Sequence, residues 1–359
     1  MQTIKFIKKE SPPWASGEVE TPAGTVSRVS SDWSRADVLG MIRSRIGAYR
    51  MQYTVPPGMY AVGAATKDSD IFVTANYKLS FDIVRRSLKG MHAWVLVLDT
   101  KSINVWCAAG KGTFGTDELV KRITLSRLNE VVGHRRIILP QLGAVGVCAS
   151  KVQKETGFRV SFGPVEARDI PAYVSAGYKK TKEMSQGKFS LLDRLVLTPM
   201  EINPVMKKYP WFAAAVLLLF GLGPTGVLFK QAWEGGMPFL ALGLVAVLSG
   251  AFVTPVLLPF VPSRSFAIKG WLVGMLLTFL TMQAVGGETG QSALLLAAIY
   301  LFFPALSSYI ALQFTGSTTY TGMSGVNKEL KIGIPLYIIT TAVSLLLVVL
   351  FKLHEWEVL

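Results

Sequence analysis

Asn104-Val105-Trp106-Cys107-Ala108-Ala109-Gly110-Lys111-Gly112 places one of the chain's two cysteines between a buried strand and a helix. Ahead of it, His92-Ala93-Trp94-Val95-Leu96-Val97-Leu98-Asp99 reads as a strand buried on both faces. Behind it, Thr116-Asp117-Glu118-Leu119-Val120-Lys121-Arg122-Ile123 opens on a capping residue, carries acids in its first turn and spaces its apolar residues helically. The stretch between them is then a glycine-punctuated loop at the carboxyl end of a strand, where α/β sheets hold ligands.

Outward from that point the same alternation continues. Met59-Tyr60-Ala61-Val62-Gly63, Ile71-Phe72-Val73-Thr74-Ala75-Asn76, Arg136-Ile137-Ile138-Leu139 and Phe158-Arg159-Val160-Ser161-Phe162 read as strands. Residues 79–88, and a segment through Val147-Cys148-Ala149-Ser150-Lys151-Val152, read as helices. Strands and helices alternating at this spacing predict an α/β, Rossmann-like domain with a mainly parallel sheet over residues 36–206. A short helix over 37–47 leads into it, and residues 1–35, broken by Ser11-Pro12-Pro13 and Thr21-Pro22-Ala23-Gly24, read as an irregular arm.

Residues 207–359 differ in kind. Five apolar segments, near 210–229, 238–261, 267–285, 292–314 and 332–351, each approach the roughly 20 residues that cross a hydrocarbon core, which predicts an all-α bundle of five transmembrane helices. Pro255 and Pro304 lie inside two of them, as membrane helices tolerate. Lys207, Lys208, Arg264, Lys269, Lys328 and Lys331 flank one side and Lys230 and Lys352 the other, so the N-terminal domain is expected in the cytoplasm, on a multi-pass protein of the inner membrane. No secretory signal is read at Met1. No span carries a central acid or a charge pair, and Lys269 is near enough to an end to snorkel, so the bundle reads as an anchor rather than a pump.

The chain carries a formal charge of +14, and 29 basic against 18 acidic residues before Lys207 give +11 of it to the first domain. That charge suits anionic lipid or acidic partners, and no aromatic-interleaved basic motif supports nucleic-acid binding. Two cysteines build no disulfide framework and cannot supply the four thiolates of an iron–sulfur cluster.

Ala109-Gly110-Lys111-Gly112-Thr113 invites a phosphate-loop reading, which its spacing rejects: Val105 stands where the first glycine belongs and Gly112 where the hydroxyl residue should follow the lysine. His92, His134 and His354 are scattered without metal-ligand spacing. For Cys107 three readings stay open on chemistry alone: a small buried residue, a nucleophile, or a soft metal ligand. Cys148, on a helix of ordinary composition, reads as a core residue.

The block Asn104–Lys111 resembles the signature of the mercury-methylation corrinoid protein family, HgcA, itself related to the corrinoid iron–sulfur protein large subunit. Further blocks resemble it too: Thr74-Ala75-Asn76-Tyr77-Lys78-Leu79-Ser80, Leu139-Pro140-Gln141-Leu142-Gly143-Ala144, Phe162-Gly163-Pro164-Val165, Ala167-Arg168-Asp169-Ile170-Pro171-Ala172-Tyr173, and Phe314-Thr315-Gly316-Ser317-Thr318-Thr319-Tyr320-Thr321. Val145 and Glu166 depart from the pattern, where proline and arginine are expected.

The resemblance implies a base-off, cobalamin-type corrinoid with Cys107 as the lower axial ligand of its cobalt. Asn104, Val105, Trp106, Ala108, Ala109, Gly110 and Lys111, with Thr74, Gly143 and Gly163, would shape the cofactor site. It implies methyl transfer to Hg(II), giving methylmercury, with a methylated folate-type donor or its methyltransferase upstream. An HgcB-like ferredoxin with two iron–sulfur clusters would be the reducing partner. The alternatives are a corrinoid methyl carrier for another acceptor, as in acetyl-CoA pathway-like one-carbon metabolism, and a membrane scaffold without catalysis.

Overall fold

The computed structural model describes residues 12–224, 226–285, 292–317 and 323–356. Two compact units divide it, Met1–Lys188 and Phe189–Leu359, so the division falls before the expected 206/207 boundary. The reason is α8, one helix running from Leu191 to Gly221 through both sides of that boundary, capped by Ser190, whose hydroxyl accepts the Asp193 N–H.

Unit 1 is built on a seven-stranded sheet. In chain order its elements are β1 (Ala15–Thr21), β2 (Gly24–Val29), α1 (Arg35–Ser44), β3 (Gly58–Val62), β4 (Ile71–Ala75), α2 (Lys78–Ser87), β5 (Ala93–Leu98), α3 (Val105–Gly110), α4 (Thr116–Leu125), α5 (Leu128–Val131), β6 (Arg136–Leu139), α6 (Ala149–Thr156), β7 (Arg159–Phe162) and α7 (Ile170–Ser175). Sheet order is β1-β2-β3-β5-β4-β6-β7. β5, β4, β6 and β7 are mutually parallel, β3 runs against β5, and β2 lies parallel to β3.

The expected irregular arm is corrected here. Pro22-Ala23 turns the chain instead of ending it, and β1 pairs antiparallel with β2 at the sheet edge. Gly24, at φ 115°, supplies a backbone conformation that a side chain would resist.

Side-chain alternation along the parallel strands sorts the core into two layers. Ile71, Val73, Leu96 and Leu98 join Ala108, Leu119, Ile123 and Val152 of α3, α4 and α6 on one face. Phe72, Val95 and Val97 join Phe81, Leu88, Ile170 and Tyr173 of α2 and α7 on the other. The four parallel strands therefore end together at one edge, with α3 beside the end of β4 and the turn Gln141–Gly143.

Unit 2 holds α8, a two-stranded hairpin (β8, Leu222–Gly223; β9, Gly226–Val227), α9 (Phe229–Leu248), α10 (Thr254–Val256), α11 (Phe266–Val285), α12 (Ala293–Gln313) and α13 (Met323–Glu355). A π-turn at Ser249–Val253 joins α9 to α10. Among the described residues, four helical segments are long and apolar enough to cross a membrane: Phe229–Val256, Phe266–Ala284, Ala293–Gln313 and Ser324–Glu355. The expected span 210–229 is not one helix, because α8 ends at Gly221, the hairpin follows, and α9 begins at Phe229. Lys269 does not snorkel; its buried ammonium turns inward onto the Leu258 carbonyl. Residues 318–321 of the last family-like block lie outside the described residues.

Candidate functional site

Cys107 lies on a helix. Asn104 leaves the preceding turn in extended conformation and its side-chain oxygen accepts the Cys107 N–H at 2.9 Å, which caps α3. The loop expected between strand and helix is therefore one and a half helical turns, made possible by a cap two residues before Trp106. Ala108 and Ala109 face the core and are buried, whereas Val105, Trp106 and Cys107 are half-buried and Gly110 and Lys111 exposed.

The turn that feeds α3 is held by a residue the sequence reading left without a role. Asn76, at the end of β4, is buried, and its carboxamide oxygen accepts from the Thr100 N–H at 3.1 Å, the Thr100 hydroxyl at 2.9 Å and the Ser102 N–H at 3.1 Å. Lys101 and Ser102 between them take positive φ, 57° and 63°, a conformation side chains rarely adopt. The single proton of the Thr100 hydroxyl is shared with the Ile103 carbonyl, 2.6 Å away. The Asp99 N–H meets Glu118 at 2.9 Å, tying the turn to α4. An asparagine directly following a buried strand was the one available sequence signal.

Burial raises the Cys107 thiol above the ordinary range, and Arg50, Lys111 and the Asn104 side chain oppose that shift. Arg50 belongs to the short helical turn Ala48–Met51 and lies over the Tyr77 ring at 5.5 Å. Its nearness to Cys107 depends on tertiary folding and has no signature in the sequence. Lys111 is the C-cap of α3.

The turn carrying Arg50 is anchored through a buried ionic group. Lys78 bonds Asp37 at 2.7 Å and Asp82 at 2.7 Å, and Arg85 bonds Asp37 and Asp82 at 2.8 Å each, with all four side chains at most 10% exposed. The Tyr53 hydroxyl reaches Asp82 at 3.2 Å, and the Lys78 N–H donates to the Tyr53 carbonyl at 2.9 Å. Burial alone would raise the Asp37 carboxyl, but Lys78, Ser34 and Arg85 outweigh it and hold the group far below the usual carboxylate range. Burial, then the Asp82 charge, pushes the Tyr53 hydroxyl well up. The spacing Lys78-x3-Asp82-x2-Arg85 on one helix face was visible in the sequence, but its partner Asp37 was not.

Of the remaining expected site residues, Thr74 is buried within β4, Gly143 lies in the turn after β6 and Gly163 follows β7, so all three lie at or near the edge that bears α3. A Cβ on Gly143 would meet the Phe114 ring at 2.5 Å, and one on Gly163 would meet Ile138 at 3.0 Å. Both glycines thus serve close packing inside the protein. Gly146 does the same, where a Cβ would stand 2.2 Å from the Phe114 carbonyl oxygen and 3.1 Å from Ala109. Val145 is exposed and Glu166 half-buried.

Cys148 is corrected from a core helix residue to the exposed N-cap of α6. Its thiol lies 3.3 Å from the Ser150 hydroxyl, and that hydrogen bond, with backbone N–H groups of α6, lowers its pKa. Thr116 is likewise no cap: Gly115 holds that position, and the Thr116 hydroxyl accepts the Cys148 N–H at 2.9 Å. His92 accepts the Ala64 N–H at 3.0 Å, and His134 bonds the Ser69 carbonyl at 3.0 Å, so both do local structural work.

Residues 34–174 match the family profile of the CO dehydrogenase/acetyl-CoA synthase delta subunit. An acetyl-CoA decarbonylase/synthase complex subunit gamma of Archaeoglobus fulgidus is 27% identical over 146 residues, 39% of this chain and 31% of that protein. Its counterpart in Methanothermobacter thermautotrophicus is 28% identical over 143 residues, 38% of this chain and 31% of that protein. The corrinoid/iron–sulfur protein large subunit of Moorella thermoacetica is 31% identical over 117 residues, 32% of this chain and 26% of that protein. The chain thus spans about a third or less of these relatives' lengths, and the family match lies wholly within unit 1. The similarity of unit 1 is thus to a stretch of these subunits, one of which is a corrinoid/iron–sulfur protein.

Proposed function

We propose that unit 1 binds a corrinoid and that the chain is a membrane-anchored methyl carrier, with Cys107 as the lower axial ligand of a base-off cobalt. The observation that carries this reading is the half-buried thiol on α3, set by the Asn104 cap at the carboxyl edge of four parallel strands. The donor chemistry fits: thiolate is a soft ligand suited to a transition metal, and no space-filling side chain crowds Gly110, where a Cβ would meet nothing within 4 Å. When bound, the corrinoid would supply a metal centre that takes up and releases a methyl group, tuned by its axial ligand.

The chain's own residues then have defined tasks. Asn104 orients the thiol by fixing the first turn of α3. Arg50 and Lys111 favour its ionised form against the opposing effect of burial. Ala108 and Ala109 seat the helix on the sheet, and Thr74, Gly143 and Gly163 complete the edge around it. Val105 packs on the core cluster, and Trp106 occupies the half-buried position beside the thiol.

The named relatives favour an acceptor in acetyl-CoA pathway-like one-carbon metabolism, with a methylated folate-type donor or its methyltransferase upstream. A second reading, Hg(II) as acceptor, is favoured by the Asn104–Lys111 block and by unit 2, which lies outside the matched stretch. In either case an HgcB-like ferredoxin with two iron–sulfur clusters is the proposed reductant. Unit 2 is proposed to anchor the protein in the cytoplasmic membrane with unit 1 inside. A fifth crossing is proposed at the apolar end of α8, because five crossings would gather Lys207, Lys208, Arg264, Lys269, Lys328 and Lys331 on one face. Labelled methyl transfer from the corrinoid-loaded, full-length protein separates the acceptors. Methylmercury formed with Hg(II) and a reductant supports the second reading, and its absence, with transfer to an acetyl-CoA synthase system, supports the first.

A further inference from the structure

Two apolar grooves flank α12, and both are lined by Phe302, Leu306 and Tyr309. Spaced four and three residues apart, these side chains form one row along the helix. The groove toward α8 and α9 measures about 260 Å³ and the groove toward α13 about 490 Å³. Phe212 and Phe302 stack nearly parallel across the first, with centroids 6.2 Å apart. Gly243 opens the α9 wall there, since a Cβ would meet the Phe212 ring at 2.6 Å.

The charged side chain among the residues lining either groove is Lys208, and Gln313, the last residue of α12, lines the same groove. Three of the hydroxyls around them are turned to the protein: Tyr209 donates to the Leu240 carbonyl at 2.6 Å, Thr341 to the Tyr337 carbonyl at 2.7 Å, and Tyr337 pairs with Ser308 at 2.7 Å. One exposed cation thus accompanies two apolar grooves that share a ridge. A fully apolar occupant would leave the cation unanswered, whereas an anionic headgroup with two hydrocarbon chains matches both charge and shape.

We propose that the Phe302–Leu306–Tyr309 ridge binds one anionic diacyl phospholipid, its phosphate at Lys208 and one chain in each groove. The site rests on the reading of unit 2 as membrane-embedded; a chain that stays soluble without detergent would defeat that reading before any lipid is added. The test is native mass spectrometry of the full-length protein in detergent, with phosphatidylglycerol or phosphatidylcholine of identical chains. Wild type should retain one phosphatidylglycerol, and Lys208→Gln should lower that retention about fivefold. Lys207→Gln, one residue away and exposed but outside the lining, should leave it unchanged. Leu345→Trp, at an exposed position in the α13 groove, should weaken the two-chain lipid while leaving a single-chain lysolipid bound. Equal retention of the two headgroups, equal losses in both lysine variants, or occupation of this face by a quinone or a second copy of the chain would overturn the proposal.

Discussion

The carboxamide oxygen of Asn76 accepts the hydroxyl of Thr100 at 2.9 Å, and through that contact the end of one parallel strand holds the turn leaving its neighbour. Two backbone N–H groups, from Thr100 and Ser102, converge on the same oxygen. The two residues at positive φ persist because their neighbours are fixed in this way. Asn104 then carries the order one step further, to the Cys107 N–H.

Asn76→Ala should leave the Thr100 and Ser102 N–H groups without their acceptor, while the Thr100 hydroxyl keeps the Ile103 carbonyl, and lower stability by about 1–3 kcal/mol. It should also loosen α3, so that Cys107 in cofactor-free protein reacts faster with an alkylating reagent. Thermal unfolding and mass-resolved labelling check both effects. A large loss of stability with unchanged Cys107 labelling would confine Asn76 to a structural role.

The two thiols should separate by pH. The Cys148 pKa is lowered, chiefly by Ser150, and that of Cys107 is raised, chiefly by burial. As pH rises, Cys148 therefore ionises first and should be alkylated at lower pH, with Cys107 following above the ordinary thiol range. Cys148→Ala should change stability by no more than about 0.5 kcal/mol, as expected for an exposed position. Faster labelling of Cys107 than of Cys148 at neutral pH would contradict this ordering.

Strands were legible in the sequence because those buried on both faces write continuous apolar runs: Ala93–Leu98 and Ile71–Ala75 lie within one residue of their expected bounds. Cys107 was legible as a candidate because its block stands between such a strand and a strong helix. Its helix was not, since α3 is six residues long and depends on a cap bond and on the Asn76 hub, which only tertiary structure supplies. The β1–β2 hairpin was hidden because its strands are mostly exposed and carry little apolar alternation. Cys148 misled because composition cannot distinguish a helix interior from its cap. Asp37 and Arg50 reach their places through pairing across distant segments, which no local pattern records.

Breaking the ionic group should be severe. Asp37→Ala leaves Lys78 and Arg85 buried with one acid between them, a loss of about 3–5 kcal/mol. The folded-state pKa of Asp37 is depressed, so its contribution is present above the unfolded carboxylate pKa of about 3.9 and is lost as pH falls below it toward the folded value. Thermal unfolding of wild type should therefore steepen in acid, and Asp37→Asn should flatten that dependence. Identical acid profiles for the two proteins would remove Asp37 from this role.

The number of crossings decides where the chain's end lies. With α8 supplying the first crossing, Lys352 and the segment after it fall on the membrane face opposite unit 1; with the four long apolar helices alone, both share a face. Paired reporter fusions after unit 1 and after α13 measure this directly. Opposite faces are expected, and a shared face would reduce the bundle to four spans.

The central claim is that the Cys107 thiolate ligates cobalt, and the absorption spectrum of cobalamin-reconstituted protein tests it most directly. Wild type should show a cobalt spectrum distinct from free cobalamin. Cys107→Ala and Cys107→Ser should both lose that distinction while remaining folded, because a hydroxyl keeps the size but is a harder and far less ionised ligand. Cys148→Ala should keep the wild-type spectrum. A Cys107→Ala protein with the wild-type cobalt spectrum would contradict the account.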